Sequence, residues 1–127
     1  MTGSEESMRV LIVDDERTIA DTLVTIFTNE GHEARAAYTA EQALVLIDEW
    51  VPEVAILDVC LPGMNGVDLA IRVRAEIPGC RVTLFSGHGA ASELQAKASE
   101  DGFAFDLMAK PVHPSDLLSL IAGAARA

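Results

Sequence analysis

The sequence is poor in basic residues. Nine lysines and arginines stand against 20 aspartates and glutamates, which gives a formal net charge of −11. The phosphates of nucleic acids and anionic membrane faces repel a surface of this sign, so we expect neither as a partner. No apolar run approaches the roughly 20 residues of a transmembrane helix, and residues 1–8 lack the order of a signal peptide. The composition favours a soluble, cytoplasmic protein.

Cysteine is scarce as well. Cys60 and Cys80 form neither a CxxC pair nor a metal-binding cluster, so we expect two reduced thiols. Half of the 127 residues are apolar, which is enough for the core of a single domain. We expect a disordered polar tail over residues 1–8 and one domain over residues 9–124.

Short apolar runs alternate with helical patterns along the chain. The runs at 10–13, 54–57 and 82–85 are rich in branched residues, which is typical of strands buried on both faces. Weaker strands are expected at 32–37 and 105–109. Alternating strands and helices predict an α/β fold, a doubly wound parallel sheet with helices on both faces. Five helices are expected, at about 17–29, 39–47, 67–77, 91–99 and 114–121. A capping box at 39–42 begins the second, the Pro-Gly pair at 78–79 ends the third, and Pro114 begins the fifth.

Polar side chains follow four of the predicted strands. Asp14 and Asp15 follow the first strand, and Asp58 follows the third. Ser86 and Lys110 end the fourth and fifth. Functional groups of such a sheet gather beyond the carboxyl ends of its strands, so we expect these residues to share one crevice. Converging carboxylates require a neutralising cation, and Mg²⁺ suits them best. The alternative is that these aspartates are solvent-exposed acids with the same negative charge but no common site.

The ordered motifs resemble a known family. An Asp-Asp pair at 14–15, DVCLPGMNG at 58–66, Ser-Gly at 86–87 and Lys-Pro at 110–111 look like the receiver domain of two-component response regulators. The resemblance covers residues 9 to about 122. It implies a flavodoxin-like (βα)5 sandwich whose sheet has the order 2-1-3-4-5. It also implies phosphoryl transfer from a histidine kinase or histidine-phosphotransfer protein.

The resemblance implies a phosphoacceptor and a metal site. Asp58 corresponds to the aspartate that forms the aspartyl phosphate. Asp15, Asp58 and the backbone carbonyl of Cys60 would bind Mg²⁺ directly, and Asp14 would bind it through water. Carboxylate attack on phosphorus is known chemistry for an acyl phosphate, in which the protein positions the groups and offsets charge.

The resemblance also assigns the groups around the phosphoryl oxygens. Ser86 and Lys110 would contact these oxygens, and Lys110 would pair with Asp58 in the resting state. Pro62 and Gly66 would shape the loop after the phosphoacceptor. The Lys110–Pro111 peptide bond would be cis, which X-Pro bonds allow at small cost.

Four positions concern the switch and the lifetime of the phosphoryl group. Leu107 stands where most receivers carry a tyrosine or phenylalanine that rotates inwards on activation, which leaves movement of the Ser86 loop to transmit the signal. Phe105 is expected to pack in the core. Cys60 and His88 would flank the path of hydrolytic water, and we expect His88→Ala to change the rate of autodephosphorylation.

These features predict a phosphorylation-dependent signalling switch rather than an enzyme, catalysing only its own phosphotransfer and autodephosphorylation. We expect a single-domain regulator, a monomer or weak dimer, that controls a protein partner. That partner would dock on the fourth helix, fifth strand and fifth helix, about residues 90–122. A phosphorelay intermediate, or a receiver detached from a larger regulator or hybrid kinase, is the alternative.

Other classes fit the residues less well. An aspartyl phosphatase of the haloacid-dehalogenase type needs a second aspartate two residues after its nucleophile, where this chain has Cys60. A flavodoxin-type cofactor binder needs a phosphate-cradling loop after the first strand, where this chain has Asp-Asp-Glu-Arg at 14–17. A receiver-like domain that docks without phosphorylation stays open.

Overall fold

The computed structural model describes residues 7–86, 106–109, 115–116 and 118–119. Within these ranges, no helix is both long and apolar enough to cross a bilayer. Strands and helices alternate from the first strand to the fourth. They are β1 (Arg9–Val13), α1 (Arg17–Asn29), β2 (Glu33–Ala37), α2 (Ala40–Glu49), β3 (Val54–Asp58), α3 (Gly66–Glu76), β4 (Arg81–Ser86) and β5 (Asp106–Ala109).

The five strands form one parallel sheet in the order β2-β1-β3-β4-β5. The order 2-1-3-4-5 implied by the family resemblance is therefore confirmed. The three apolar runs became the three central strands, and Ile12, Ile56 and Thr83 lie side by side across them. All strands point the same way, so their carboxyl ends meet at one edge, which we call the carboxyl edge.

Buried side chains fill a layer on each face of the sheet. Leu57 and Leu84 pack with residues of α2 and α3 on one face. Ile56 and Phe85 pack with Phe27 of α1 on the other face, where Leu118 adds a partly buried side chain. Alternation of neighbouring strand residues between the two layers confirms the doubly wound sandwich.

The helix boundaries follow local signals. The Thr39 hydroxyl accepts a hydrogen bond from the Gln42 N–H at 3.0 Å, as the capping box predicts. The reciprocal bond differs, because the Gln42 side chain accepts from the N–H of Tyr38, one residue before the cap. Gly31, with a φ of 93°, follows α1 as the predicted stop signal.

Some predictions fall outside the described residues. These include the fourth helix at 91–99, most of the fifth helix, and residues 1–6 of the predicted tail. Met8 is described: its N–H donates to Nδ1 of His32 at 3.1 Å, and its carbonyl accepts from Glu33. Both cysteines are free thiols, in agreement with the sequence.

Candidate functional site

Three carboxylates converge at the carboxyl edge. Asp14 and Asp15 directly follow β1, and Asp58 ends β3. The two strands are neighbours in which Val13 lies opposite Leu57, so the residues after this pair are brought together. One oxygen from each of the three carboxylates lies within 4.8 Å of the others. The structure thus joins the three acids that the sequence places at strand ends.

The three carboxylates differ in burial. Asp14 is 0% exposed and Asp58 is 4% exposed, whereas Asp15 lies at the surface. Buried carboxylates require hydrogen-bond donors, and Oδ1 of Asp14 accepts from the Glu16 N–H at 2.9 Å. The Asp14 N–H in turn donates to the Ala37 carbonyl at 3.2 Å. These bonds tie the loop after β1 to its own helix and to β2.

Asp58 is held by the backbone that follows it. Its Oδ1 accepts from the N–H of Cys60 at 3.1 Å. The next residue, Val59, donates to the Phe85 carbonyl at 3.0 Å and accepts from the Gly66 N–H at 2.8 Å. The start of α3 is therefore bonded to the end of β3, which limits how far Asp58 can move.

Glycine is required at the contact between these two elements. A Cβ on Gly66 would lie 2.0 Å from the carbonyl oxygen of Asp58 and 2.7 Å from Cα of Val59. Sequence reasoning placed Gly66 in the loop but missed Gly63, whose φ is 72°. The Pro-Gly pair at 62–63 was the available signal, since this dipeptide marks turns.

An aromatic and charged cluster lies where the end of β2 meets α1 and was also missed. The Tyr38 hydroxyl donates to Oδ1 of Asp21 at 2.6 Å, and this hydrogen bond raises the pKa of Tyr38. The guanidinium carbon of Arg17 lies 4.1 Å from the centroid of the Tyr38 ring. Tyr38 directly follows Ala37, the residue bonded to Asp14. We call Arg17, Asp21 and Tyr38 the rim cluster.

Several predicted residues lie wholly or partly outside the described part of the chain. Ser86 ends β4 opposite Ala109, and Leu107 lies opposite Leu84, both by backbone register. Lys110 and its bond to Pro111, together with His88 and Phe105, fall outside the described residues.

The acidic cluster suits a hard divalent cation. Carboxylate oxygen is the ligand that Mg²⁺ prefers, and ligands on opposite sides of this ion are about 4 Å apart. Separations of up to 4.8 Å therefore fit a set in which one carboxylate reaches the ion through water. The donor chemistry and spacing are typical of Mg²⁺ binding.

Comparison with known proteins decides the family. The model of the response regulator receiver domain matches residues 10–122. The chain belongs to the response regulator receiver domain family. A receiver is a signalling module rather than a true enzyme, and this membership argues against the phosphatase and the flavodoxin-type cofactor binder considered from the sequence.

Solved receivers share this fold closely. A CheY-like receiver domain protein from Methanospirillum hungatei is 32% identical with a TM-score of 0.85, and 94% of each chain is covered. The receiver domain of NtrX from Brucella abortus is 34% identical with a TM-score of 0.79, covering 92% of this chain and 98% of that one.

Curated relatives are longer. The alginate biosynthesis transcriptional regulatory protein AlgB of Pseudomonas aeruginosa is 34% identical over 116 residues, which are 91% of this chain and 25% of AlgB. The DNA-binding response regulator MtrA of Mycobacterium tuberculosis is 30% identical over 113 residues, 89% of this chain and 48% of MtrA. The chain thus spans a quarter to a half of their length.

Proposed function

We propose that Asp58 is the phosphoacceptor of this receiver and that a histidine kinase or histidine-phosphotransfer protein supplies the phosphoryl group. The observation that carries the proposal is the position of Asp58: nearly buried, at the end of a central strand, and within 4.8 Å of two further carboxylates. An aspartate in such surroundings is oriented by the fold rather than by solvent.

In the phosphoryl transfer, the protein contributes one nucleophilic carboxylate and otherwise positions the reacting groups. One Asp58 oxygen forms a new O–P bond while the P–N bond of the donor phosphohistidine breaks. The imidazole nitrogen keeps the bonding electron pair and takes up a proton. The Cys60 N–H, 3.1 Å from Oδ1, fixes the orientation of the carboxylate before the donor arrives.

Asp15, Asp58 and the Cys60 carbonyl would hold Mg²⁺ directly, with Asp14 acting through water. Asp15 is exposed and accessible to an entering ion, whereas buried Asp14 is held by Glu16. When bound, the ion supplies positive charge that offsets repulsion between carboxylate and phosphoryl oxygens.

Ser86 and Lys110 would contact the phosphoryl oxygens of the product. The backbone register supports this assignment, because Ser86 lies opposite Ala109 and Lys110 is the next residue. A lysine provides a movable point charge, which suits both a resting pair with Asp58 and a contact with the product. With Leu107 in place of an aromatic residue, movement of the Ser86 loop would carry the signal.

The signal would reach a protein partner through the face formed by the fourth helix, β5 and the fifth helix. Phosphorylation can shift two conformations only by the difference in their affinity for the phosphoryl group. This switch is compatible with a single-domain regulator, a phosphorelay intermediate or a module of a larger regulator. The greater length of AlgB and MtrA favours the module of a larger regulator.

Incubation with acetyl phosphate and Mg²⁺, followed by intact mass, tests the proposal. The wild-type chain should gain one phosphoryl group that hydroxylamine removes, and EDTA should prevent the gain. Asp58→Asn should gain none, whereas Asp48→Asn, a matched change on the exposed surface of α2, should behave as wild type. Equal labelling of the Asp58→Asn and wild-type chains would exclude Asp58 as the acceptor.

A further inference from the structure

The sheet ends on one side at β2, which pairs with β1 alone. The Glu33 N–H donates to the carbonyl of Met8, and the Ala37 carbonyl accepts from the N–H of Asp14. In a parallel pair, every second residue directs both backbone groups at the neighbouring strand. Arg35, midway between Glu33 and Ala37, therefore also faces β1, and the residues between these three face away from the sheet.

The outward-facing residues are Ala34 and Ala36. Both are partly exposed, and no hydrogen bond is found from their outward backbone groups to another residue in the described part of the chain. Proteins commonly protect such an edge with proline, lysine or a bulge. The sequence of β2 is EARAA, without proline or lysine, and its register with β1 is continuous. A further strand can therefore pair with this edge.

Two opposite charges mark the edge. The side chains of Glu33 and Arg35 are 52% and 48% exposed and lie on the same face of β2, because side chains alternate along a strand. Glu33 accepts from Nε1 of Trp50 at 2.6 Å, and the Arg35 guanidinium carbon lies 4.9 Å from the centroid of the Trp50 ring. Trp50 thus holds both charged side chains in place at the edge.

We propose that β2 pairs with β2 of a second copy of this chain, antiparallel about a two-fold axis at Ala34. This register joins the two Ala34 residues by two backbone hydrogen bonds. It also places Glu33 of each copy opposite Arg35 of the other, so two-fold symmetry forms both opposite-charge pairs at once. A register centred on Arg35 would match the outward backbone groups too, but it would set the two arginines opposite each other.

The expected dimer is weak. Strands of five residues bury less than the roughly 1,200 Å² of a stable interface, and the net charge of −11 on each copy opposes association. We expect a dissociation constant of about 0.1–1 mM at about 0.15 M salt, measured by sedimentation equilibrium. A wild-type chain that stays monomeric up to about 2 mM would overturn the proposal. An extended segment of another protein would then be the occupant of this edge.

Charge reversals test the pairing. Glu33→Arg and Arg35→Glu each set like charges opposite each other in both pairs, so each variant alone should associate at least about 10-fold more weakly than the wild-type chain. An equimolar mixture of the two variants restores both opposite-charge pairs and should form heterodimers. Arg72→Glu, a matched reversal on the exposed surface of α3, should associate as wild type. Circular dichroism verifies that each variant is folded, since Glu33→Arg also loses the bond from Trp50.

Engineered cysteines report the register without changing these charges. Ala34→Cys would place two thiols opposite each other with Cα atoms about 5.5 Å apart, which a disulfide can span. In the same register, the thiols of Ala36→Cys would be offset by four residues, about 13 Å along the strands. In a Cys60→Ser background, which removes an exposed thiol, Ala34→Cys should crosslink at least about 10-fold faster than Ala36→Cys with oxidised glutathione.

Three results would overturn the pairing: wild-type association of either charge reversal, a mixture of the two that associates no better than each alone, or crosslinking of Ala36→Cys as fast as that of Ala34→Cys. None of these measurements involves phosphorylation. Failure of the dimer would leave the proposed role of Asp58 intact, and an Asp58 that accepts no phosphoryl group would leave the dimer intact.

Discussion

Gly66→Ala introduces a methyl group at the contact between α3 and the end of β3. The new Cβ would lie 2.0 Å from the Asp58 carbonyl oxygen and 2.7 Å from Cα of Val59. Favourable contacts between such atoms begin at about 3.5 Å, so the two backbones must separate by more than about 1 Å. Both atoms belong to rigid backbone, and no side chain can rotate to make room. The displacement therefore reaches the phosphoacceptor.

The size of the effect follows from this displacement. Overpacking of a close contact lowers the free energy of unfolding by about 1–3 kcal/mol. A reacting group misplaced by about 1 Å loses about 100-fold in rate. We expect Gly66→Ala to lower the rate of Asp58 phosphorylation about 100-fold while the chain remains folded.

Gly79→Ala is the matched control. Gly79 is not at a positive φ, and a Cβ there would meet no atom within 4 Å. Its unfolding free energy should change by less than about 0.5 kcal/mol. Stability is measured by urea unfolding with the fluorescence of Trp50, the single tryptophan, and phosphorylation by intact mass after acetyl phosphate treatment. Wild-type phosphorylation and an unchanged unfolding midpoint in Gly66→Ala would refute the steric argument.

Three further predictions concern stability in urea. The Thr83 hydroxyl is buried without a hydrogen-bond partner in the described part of the chain, so Thr83→Val should raise the unfolding free energy by about 1 kcal/mol; a decrease would show that the hydroxyl is satisfied. Thr39→Ala removes the acceptor of the Gln42 N–H and should lower the free energy of unfolding by about 1 kcal/mol. An unchanged free energy of unfolding would exclude a capping role for Thr39. Burial raises the pKa of Cys80 from 9.0 to about 12, so above pH 9 the thiol ionises only in the unfolded chain. The contribution of the protonated Cys80 thiol to the free energy of unfolding is complete below pH 9. It is lost between pH 9 and 12, by up to about 1.4 kcal/mol per pH unit. If the unfolding free energy of Cys80→Ala fell with pH as steeply as that of the wild-type chain, this assignment would be contradicted.

The central strands could be predicted because both of their faces are buried. Val54–Leu57 is apolar at every position, and the structure buries all of these residues between two helical layers. The meeting of the acids at one edge was then predictable from the parallel direction of the strands. Asp14 directly follows β1, Asp58 ends β3, and the two strands are neighbours. The edge strand β2 gave a weaker signal because only one of its five residues, Ala37, is fully buried.

The rim cluster could not be predicted in the same way. Tyr38 follows β2, whereas Arg17 and Asp21 lie on α1, and only the packing of these elements brings the three together. No local pattern encodes such a contact. The resemblance assigned Gly66 to the loop after the phosphoacceptor, but its close approach to the Asp58 backbone depends on how α3 packs against the end of β3.

The carboxyl edge can hold mutually repelling carboxylates close together because buried strands fix their positions. Asp14 and Asp58 are attached to strands that are buried on both faces, so separating the two carboxylates would require disruption of the core. Apolar burial in those strands outweighs the repulsion, and the fold keeps the acids within 4.8 Å of each other and of Asp15. Negative charge concentrated in this way favours a divalent cation and opposes an anionic donor. The proposed Mg²⁺ ion would offset this repulsion before a phosphodonor binds.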